Sequence, residues 1–121
     1  MRILKGNRFS RLAEKAGITD NELRELVNNA LETGDFDADL GGGVYKVRMA
    51  RTGKGKSGGF RIIVFFRSQK LTFYHYVFAK SERDNISRKE LKWFKELARD
   101  IFSMTDEQIN NRLKAGTLQE I

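Results

Sequence analysis

The fold of this chain is decided by residues Arg61 to Arg67, which read RIIVFFR. After the arginine the run is almost continuously apolar, which is typical of a strand in the centre of a sheet. A second strand candidate, Leu71 to Ala79, reads LTFYHYVFA and is rich in aromatic side chains. The polar residues Arg67 to Lys70 separate the two runs. The sequence therefore predicts an antiparallel hairpin at this point.

A third strand candidate precedes this hairpin and has one basic face. Val44 to Met49 alternates basic and apolar residues, so Lys46 and Arg48 lie on the same side of the predicted strand. The three glycines Gly41 to Gly43 predict a turn that requires positive φ angles. Asp35 to Leu40 is interpreted as a short connection or an edge strand.

Two helices are predicted before the strands. The first ends at Gly17 and is indicated by apolar residues at helical spacing, namely Phe9, Leu12, Ala13 and Ala16. A capping box at Thr19 to Glu22 opens the second, because a hydroxyl at the cap and a carboxylate three residues later each accept the other's backbone N–H. This helix is expected to stop before Gly34. The residues that it would bury are Leu23, Leu26, Val27, Ala30 and Leu31.

Helices return after the strands. A capping box at Ser87 to Glu90 opens a helix, and Thr105 to Gln108 starts a last short one, with Ile109 and Leu113 facing inward. The apolar stripe of the longer helix consists of Leu91, Phe94, Leu97, Ala98, Ile101 and Phe102. Trp93 lies beside this stripe and is interpreted as a lid or a partner contact.

This order of elements predicts an α+β fold, with residues 1–121 forming a single domain. We expect an antiparallel β-sheet of three to four strands, with two N-terminal and one or two C-terminal helices. The helices are expected to be segregated to one face or one end of the sheet.

Composition limits the function. The 121 residues include 23 basic and 16 acidic side chains, and the net charge of +7 favours an anionic partner, with nucleic acid first. There is no cysteine and one histidine, which excludes disulfides, thiolate sites and multi-histidine metal sites. We therefore expect no metal and no cofactor.

The sequence also bears on location. No apolar run approaches the roughly 20 residues of a membrane span. The first five residues lack the apolar core of a secretory signal, so the expected location is the cytoplasm.

Basic residues are concentrated on and between the predicted strands. Arg61 stands at the root of its strand, directly after a glycine-rich basic loop, and Lys46 and Arg48 lie on the neighbouring strand. The other basic residues of this region are Arg51, Lys54 and Lys56 in the loop and Lys80 and Arg83 after the third strand. If the strands pair as hairpins, these cations converge, and their mutual repulsion is costly unless an anion binds there. The alternative is a flexible turn and a solvated sheet face.

A set of cations without a carboxylate pair on the strands suits phosphodiester chemistry. In RNA cleavage the 2′-hydroxyl attacks the adjacent phosphorus, and arginine and lysine can stabilise the charge of the phosphorane. A lysine whose pKa is lowered by its neighbours could transfer the protons, as could His75 or a tyrosine. Strict alternation predicts that His75 shares a face with Phe73 and Val77, and that Tyr74, Tyr76 and Phe78 share the other. The alternative is that His75 and the tyrosines are core residues.

The chain resembles the RelE-like toxins of bacterial type II toxin–antitoxin systems, within the RelE/ParE superfamily. The resemblance covers nearly the whole chain, and its motifs stand in the right order and at the right spacing. The matching stretches are Asp37 to Val44, Lys46, Arg48, Gly53 to Arg61, Phe78 to Ile86, and Glu90-Leu91.

This resemblance implies a small α+β fold with a twisted antiparallel sheet. It also implies metal-free cleavage of mRNA in the ribosomal A site and inhibition by an adjacently encoded antitoxin, by analogy a helix-turn-helix protein. The catalytic residues implied are Arg61, Lys46, Arg48, Lys80 and Arg83. Those assigned to RNA binding are Arg51, Lys54, Lys56 and His75.

Two departures from the RelE pattern leave the proton-transfer residues open. Ser81 stands where RelE has an arginine, and no tyrosine stands in Asp84 to Ser87, where RelE has one. Lys54, Lys56, His75 or Lys80 are the candidates to substitute. The ParE-like branch of the superfamily, which inhibits DNA gyrase and cleaves nothing, is the alternative function. A plain nucleic-acid-binding module is a further one.

Overall fold

The computed structural model describes residues 1–50 and 59–121. Three residues assigned above to RNA binding, Arg51, Lys54 and Lys56, lie outside this part of the chain. The glycine-rich basic loop that contains them lies outside it as well, apart from Gly59.

A six-stranded sheet forms the centre of the molecule. Its strands are β1 (Arg2–Gly6), β2 (Ala38–Gly41), β3 (Val44–Met49), β4 (Phe60–Arg67), β5 (Leu71–Ala79) and β6 (Leu118–Glu120). They are arranged in the order β2-β3-β4-β5-β1-β6. The β1–β5 pair is parallel and all other neighbours are antiparallel. The predicted hairpin of β4 and β5 is confirmed at the centre of the sheet.

Four α-helices surround the sheet in the described part of the chain. They are α1 (Asn7–Ala16), α2 (Asp20–Leu26), α3 (Arg88–Phe102) and α4 (Asp106–Ala115). The capping boxes at Thr19 and Ser87 are confirmed, and Thr105 forms one with Gln108. Gly17 ends α1 with a φ of 74°, a left-handed conformation that glycine adopts without steric cost. None of the helices in the described residues is long and apolar enough to span a membrane.

The second predicted helix is divided in the structure. Its α-helical part ends at Leu26, and the chain continues as a π-helical turn over Val27–Leu31. Val27, Ala30 and Leu31 are still buried, as predicted. The apolar spacing indicates which side chains are buried, but it does not distinguish an α-helical from a π-helical turn at the end of the helix.

Helices cover both faces of the sheet, so the expectation that they are segregated to one face or one end was wrong. Alternate β4 residues belong to different cores: Ile62 and Val64 pack with α1 and α2, whereas Ile63 and Phe65 pack with α3 and α4. The run RIIVFFR is therefore continuously apolar because both of its sides are buried. We call the two sides of the sheet the α1 side and the α3 side.

The strand count of three to four was also too low, because both ends of the chain join the sheet. β1 runs parallel to β5, and β6 pairs with β1. Leu4 is the only buried residue of β1, and Leu118 is the only one of β6. Such short segments carry too little periodic signal to be read as strands.

Candidate active site

Three central strands place basic and aromatic side chains in two rows on the α3 side of the sheet. Residues directly opposite each other in antiparallel strands project from the same face. The first row consists of Lys46, Ile63 and Tyr76, and the second of Arg48, Arg61 and Phe78. We call Lys46, Arg48, Arg61, Tyr76 and Phe78 the basic face. The predicted convergence of the three strand cations is thus confirmed by the strand register.

A β-bulge in β5 brings the aromatic residues to the basic face. Val64 pairs with Tyr74 while Ile63 pairs with Tyr76, so His75 is an extra residue opposite one step of β4. The prediction from strict alternation was therefore wrong beyond His75. Val77 packs on the α1 side with Tyr74, and Tyr76 and Phe78 pack on the α3 side.

Arg61 is a buried cation at the floor of the basic face. Only 6% of the residue is exposed. Its Nε donates a hydrogen bond to Asp37 Oδ2 at 3.2 Å, and its Nη1 donates one to the carbonyl oxygen of Phe60 at 3.4 Å. No buried side-chain nitrogen or oxygen among the described residues lacks a hydrogen-bond partner. Nη2 has no hydrogen-bond partner among residues 1–50 and 59–121. Arg61 can therefore offer this nitrogen to an anion.

Lys46 and Arg48 differ in their surroundings. Lys46 Nζ lies 3.6 Å from Asp37 Oδ2 and 3.4 Å from Asn85 Oδ1, and its side chain is largely covered. Arg48 is exposed, and it has no ion pair with another described residue. An exposed guanidinium in register with Arg61 is suited to bind a phosphate through its planar fork of donors.

Arg83 is held by partners within the protein. It forms a bidentate ion pair with Glu90. Its Nη1 also donates to the Tyr76 hydroxyl at 3.3 Å, and its Nε donates to the Asn85 carbonyl at 2.8 Å. Glu90 also accepts the backbone N–H of Ser87, the cap of α3. Hydrogen bonds from Arg83 and Ser87 lower the pKa of Glu90 to about 2. Arg83 therefore links the chain after β5 to the start of α3 and to Tyr76.

Glu90→Gln is expected to lower the free energy of unfolding by about 1 kcal/mol at pH 7, because glutamine keeps the cap but loses the charged pair. The pKa of Glu90 is depressed in the folded state, so its stabilising effect is present above its ordinary pKa of 4.5. This effect is lost as the pH falls towards 2. Urea unfolding at pH 7 and pH 3 measures both values. The difference in unfolding free energy between variant and wild type should shrink at pH 3.

Glu96→Gln is the control, because Glu96 is an exposed residue on the same helix. An equal loss of stability in both variants would contradict the assignment.

His75 lies in an aromatic cluster beneath α3. Its ring stacks on Phe65 at 5.0 Å between centroids and meets the edge of Phe94 at 4.6 Å. Burial, together with the positive charge of Arg8, lowers the pKa of His75 to about 4. The imidazole is therefore neutral near pH 7. Its assignment to RNA binding stays a prediction, and its surroundings are those of a packed core residue.

Lys80 follows β5 directly and is exposed. Its backbone N–H donates to the carbonyl of Gly59 at 3.1 Å, next to the first residue of the strand that carries Arg61. The fold therefore brings Lys80 to the end of the sheet at which Arg61 lies. Its catalytic assignment stays a prediction.

Sequence reasoning gave no site role to Asp37 or Asn85, and it left the tyrosines open between core and proton transfer. Asp37 contacts two of the three strand cations, although the sequence shows it only as part of a matching motif. Tyr76 joins the basic face only because of the bulge. Neither the bulge nor an ion pair over such a distance in sequence has a local pattern from which it could be read.

One comparison with known proteins bears on the whole chain. A family model described as the RelE toxin of the RelE/RelB toxin–antitoxin system matches residues 1–121. The match includes every element of the sheet and every residue of the basic face.

Proposed function

The chain belongs to the RelE toxin family of toxin–antitoxin systems, and we propose that it is a ribosome-dependent endonuclease that cleaves mRNA and so inhibits translation. The observation that carries the proposal is the arrangement of Lys46, Arg48 and Arg61 on one face of adjacent strands. We further propose that the protein acts in the cytoplasm, where its substrate is translated.

The basic face suits a reaction in which negative charge develops on phosphorus. Arg48 is exposed and Arg61 Nη2 has no partner among the described residues, so both can donate to the non-bridging oxygens of a phosphorane. Donors that are already held in place need no reorganisation when the charge develops, and this favours the transition state over the ground state. In this proposal Lys46 adds positive charge beside Arg61, although its ammonium group is partly engaged by Asn85 and Asp37.

Proton transfer requires a further group. Among the described candidates, Lys80 is exposed near the end of the basic face and His75 is packed beneath α3. The hydroxyl of Tyr76 joins them because the bulge places it on the basic face, where it accepts a hydrogen bond from Arg83. A residue that moves a proton affects the rate more than the binding of mRNA. Measuring kcat and KM for Tyr76→Phe and for Lys80→Met therefore shows whether each residue acts in proton transfer or in the binding of mRNA.

Primer extension on a translated message in a reconstituted system tests the proposed function. Cuts in the A-site codon that require ribosomes support it. Inhibition of DNA supercoiling without RNA cuts would instead establish the gyrase-directed alternative. RNA binding with neither effect would leave a plain nucleic-acid-binding module.

The proposed partner is an antitoxin encoded next to the toxin, by family analogy a helix-turn-helix protein. A surface suited to a polyanion can also be neutralised by an acidic protein segment. Co-expression with the neighbouring gene, followed by affinity purification through a tag on the toxin, tests the pairing. A toxin that is recovered alone, and whose growth inhibition the neighbour does not relieve, would contradict it.

A further inference from the structure

A carboxylate is built into the basic face. Oδ2 of Asp37 lies 3.2 Å from Arg61 Nε and 3.6 Å from Lys46 Nζ. The backbone N–H of Asp37 donates to the carbonyl of Lys46 at 2.8 Å, so the residue is fixed to the strand that carries two of the cations. The convergence of cations that the sequence indicated is therefore partly balanced from within the protein. The site still attracts an anion, because the cations of the face outnumber this carboxylate.

The position of this carboxylate determines which edge of Arg61 remains available. A guanidinium has five N–H donors in a rigid planar fork. Asp37 accepts from Nε at one edge and the Phe60 carbonyl accepts from Nη1. Nη2, which lies between these two groups on the fork, has no partner among the described residues. Because the fork is rigid, fixing Nε and Nη1 also fixes the direction of the Nη2 donors.

We infer that Asp37 is a positioning residue that holds the Arg61 guanidinium by its Nε edge and so presents Nη2 to a phosphate of the RNA. The inference rests on the proposed function. A buried guanidinium needs a hydrogen-bonded counter-charge to be stable in its place. A neutral acceptor would leave Arg61 and Lys46 to repel each other, and the guanidinium would no longer be held in one orientation. Misplacement of a catalytic group by about 1 Å can lower a rate by about 10²-fold.

Asp37→Asn tests this inference, and Asp39→Asn is its matched control. The first substitution keeps the shape of the side chain at position 37 and removes its charge. Asp39 lies two residues away on β2, where its carboxylate accepts from the backbone N–H of Gly41. An amide oxygen can accept the same bond, so Asp39→Asn removes one negative charge without breaking an ion pair of the basic face.

We expect Asp37→Asn to lower kcat for mRNA cleavage by about 10-fold to 10²-fold. We also expect it to bind a short RNA with a 2′-deoxy nucleotide at the cleavage site as tightly as wild type, or more tightly, because the site gains positive charge. In NMR spectra the Nε–H signal of Arg61 should shift in Asp37→Asn and not in Asp39→Asn. Asp37→Glu, which keeps the charge, should retain more activity than Asp37→Asn. If Asp37→Asn does not fold, Asp37→Glu is the test variant: its longer side chain displaces the carboxylate, so kcat should fall below wild type while RNA binding is retained. A loss of RNA binding equal to the loss of rate would then overturn the inference.

A wild-type rate in folded Asp37→Asn would overturn the inference. So would a parallel loss of rate, RNA binding and thermal stability, because that pattern indicates a purely structural role. If the wild-type protein itself cuts no mRNA on ribosomes, the proposed function fails, and the positioning role is decided by the Arg61 signal and RNA binding alone. An unchanged Arg61 signal in Asp37→Asn then overturns it, and a shift with retained RNA binding supports it.

Discussion

Arg61→Ala is expected to lower the rate of mRNA cleavage by about 10²-fold to 10³-fold and to abolish growth inhibition. This is the typical effect of removing one preorganised donor to a developing charge, and it corresponds to about 3–4 kcal/mol of activation free energy. The variant should still fold and bind its antitoxin. Asp37 stays 3.6 Å from Lys46, so the carboxylate is not left without a cation.

Arg67→Ala is the matched control for this prediction. Arg67 is the last residue of β4, and Arg61 lies near the start of the same strand. Arg67 is exposed, and its guanidinium stacks on the ring of Phe102, with 4.3 Å between the guanidinium carbon and the ring centroid. Losing this contact should cost about 0.5–1 kcal/mol of stability and no catalytic rate. Growth assays, primer extension and a thermal melt of each purified variant measure these effects. Undiminished toxicity of folded Arg61→Ala would remove Arg61 from the proposed active site.

Gly43→Ala is expected to destabilise the fold strongly, by about 2–5 kcal/mol. Gly43 has a φ of 82° in the turn before β3, and a Cβ there would lie 2.5 Å from Cε2 of Phe102. The left-handed conformation costs an alanine about 1–2 kcal/mol. Overpacking against the ring adds about 1–3 kcal/mol. Urea unfolding measures the sum, and the melting temperature should fall by roughly 8–20 °C.

Gly116→Ala separates the two contributions. Gly116 caps α4 with a φ of 77°, and a Cβ there would have no atom within 4 Å. Its substitution should therefore cost only the conformational term, about 1–2 kcal/mol. The difference between the two variants measures the clash with Phe102. Equal losses would show that the end of α3 moves aside at no cost.

The features that the sequence revealed correctly are those set by residues close together in the chain. The capping boxes at Thr19 and Ser87 each depend on two residues three positions apart, as does the helix start at Thr105. The apolar run of β4 and the three glycines before β3 are local in the same sense. The basic alternation of β3 also predicted the face that Lys46 and Arg48 share.

The features that could not be read depend on pairing between distant segments. β1 contributes one buried residue and becomes a strand only because β5 and β6 lie beside it. The bulge at His75 is defined by the register of β4 against β5, so no residue of β5 indicates it alone. Asp37 is 24 positions from Arg61, and an aspartate beside an edge strand has no local pattern that identifies its ion-pair partner.

The parallel pairing of β1 with β5 also sets the order in which the toxin can be completed during its own synthesis. Leu4 pairs with Phe73, and Gly6 pairs with Leu118. At about 5–20 residues per second, a ribosome needs roughly 3–14 seconds to extend the chain from the first residue of the β1–β5 pair to the second. Until then β1 has neither of its two neighbours, and β6 joins it only after β5 has been synthesised. The strands that carry the basic face, β3, β4 and β5, are therefore all synthesised before β6 can complete the sheet.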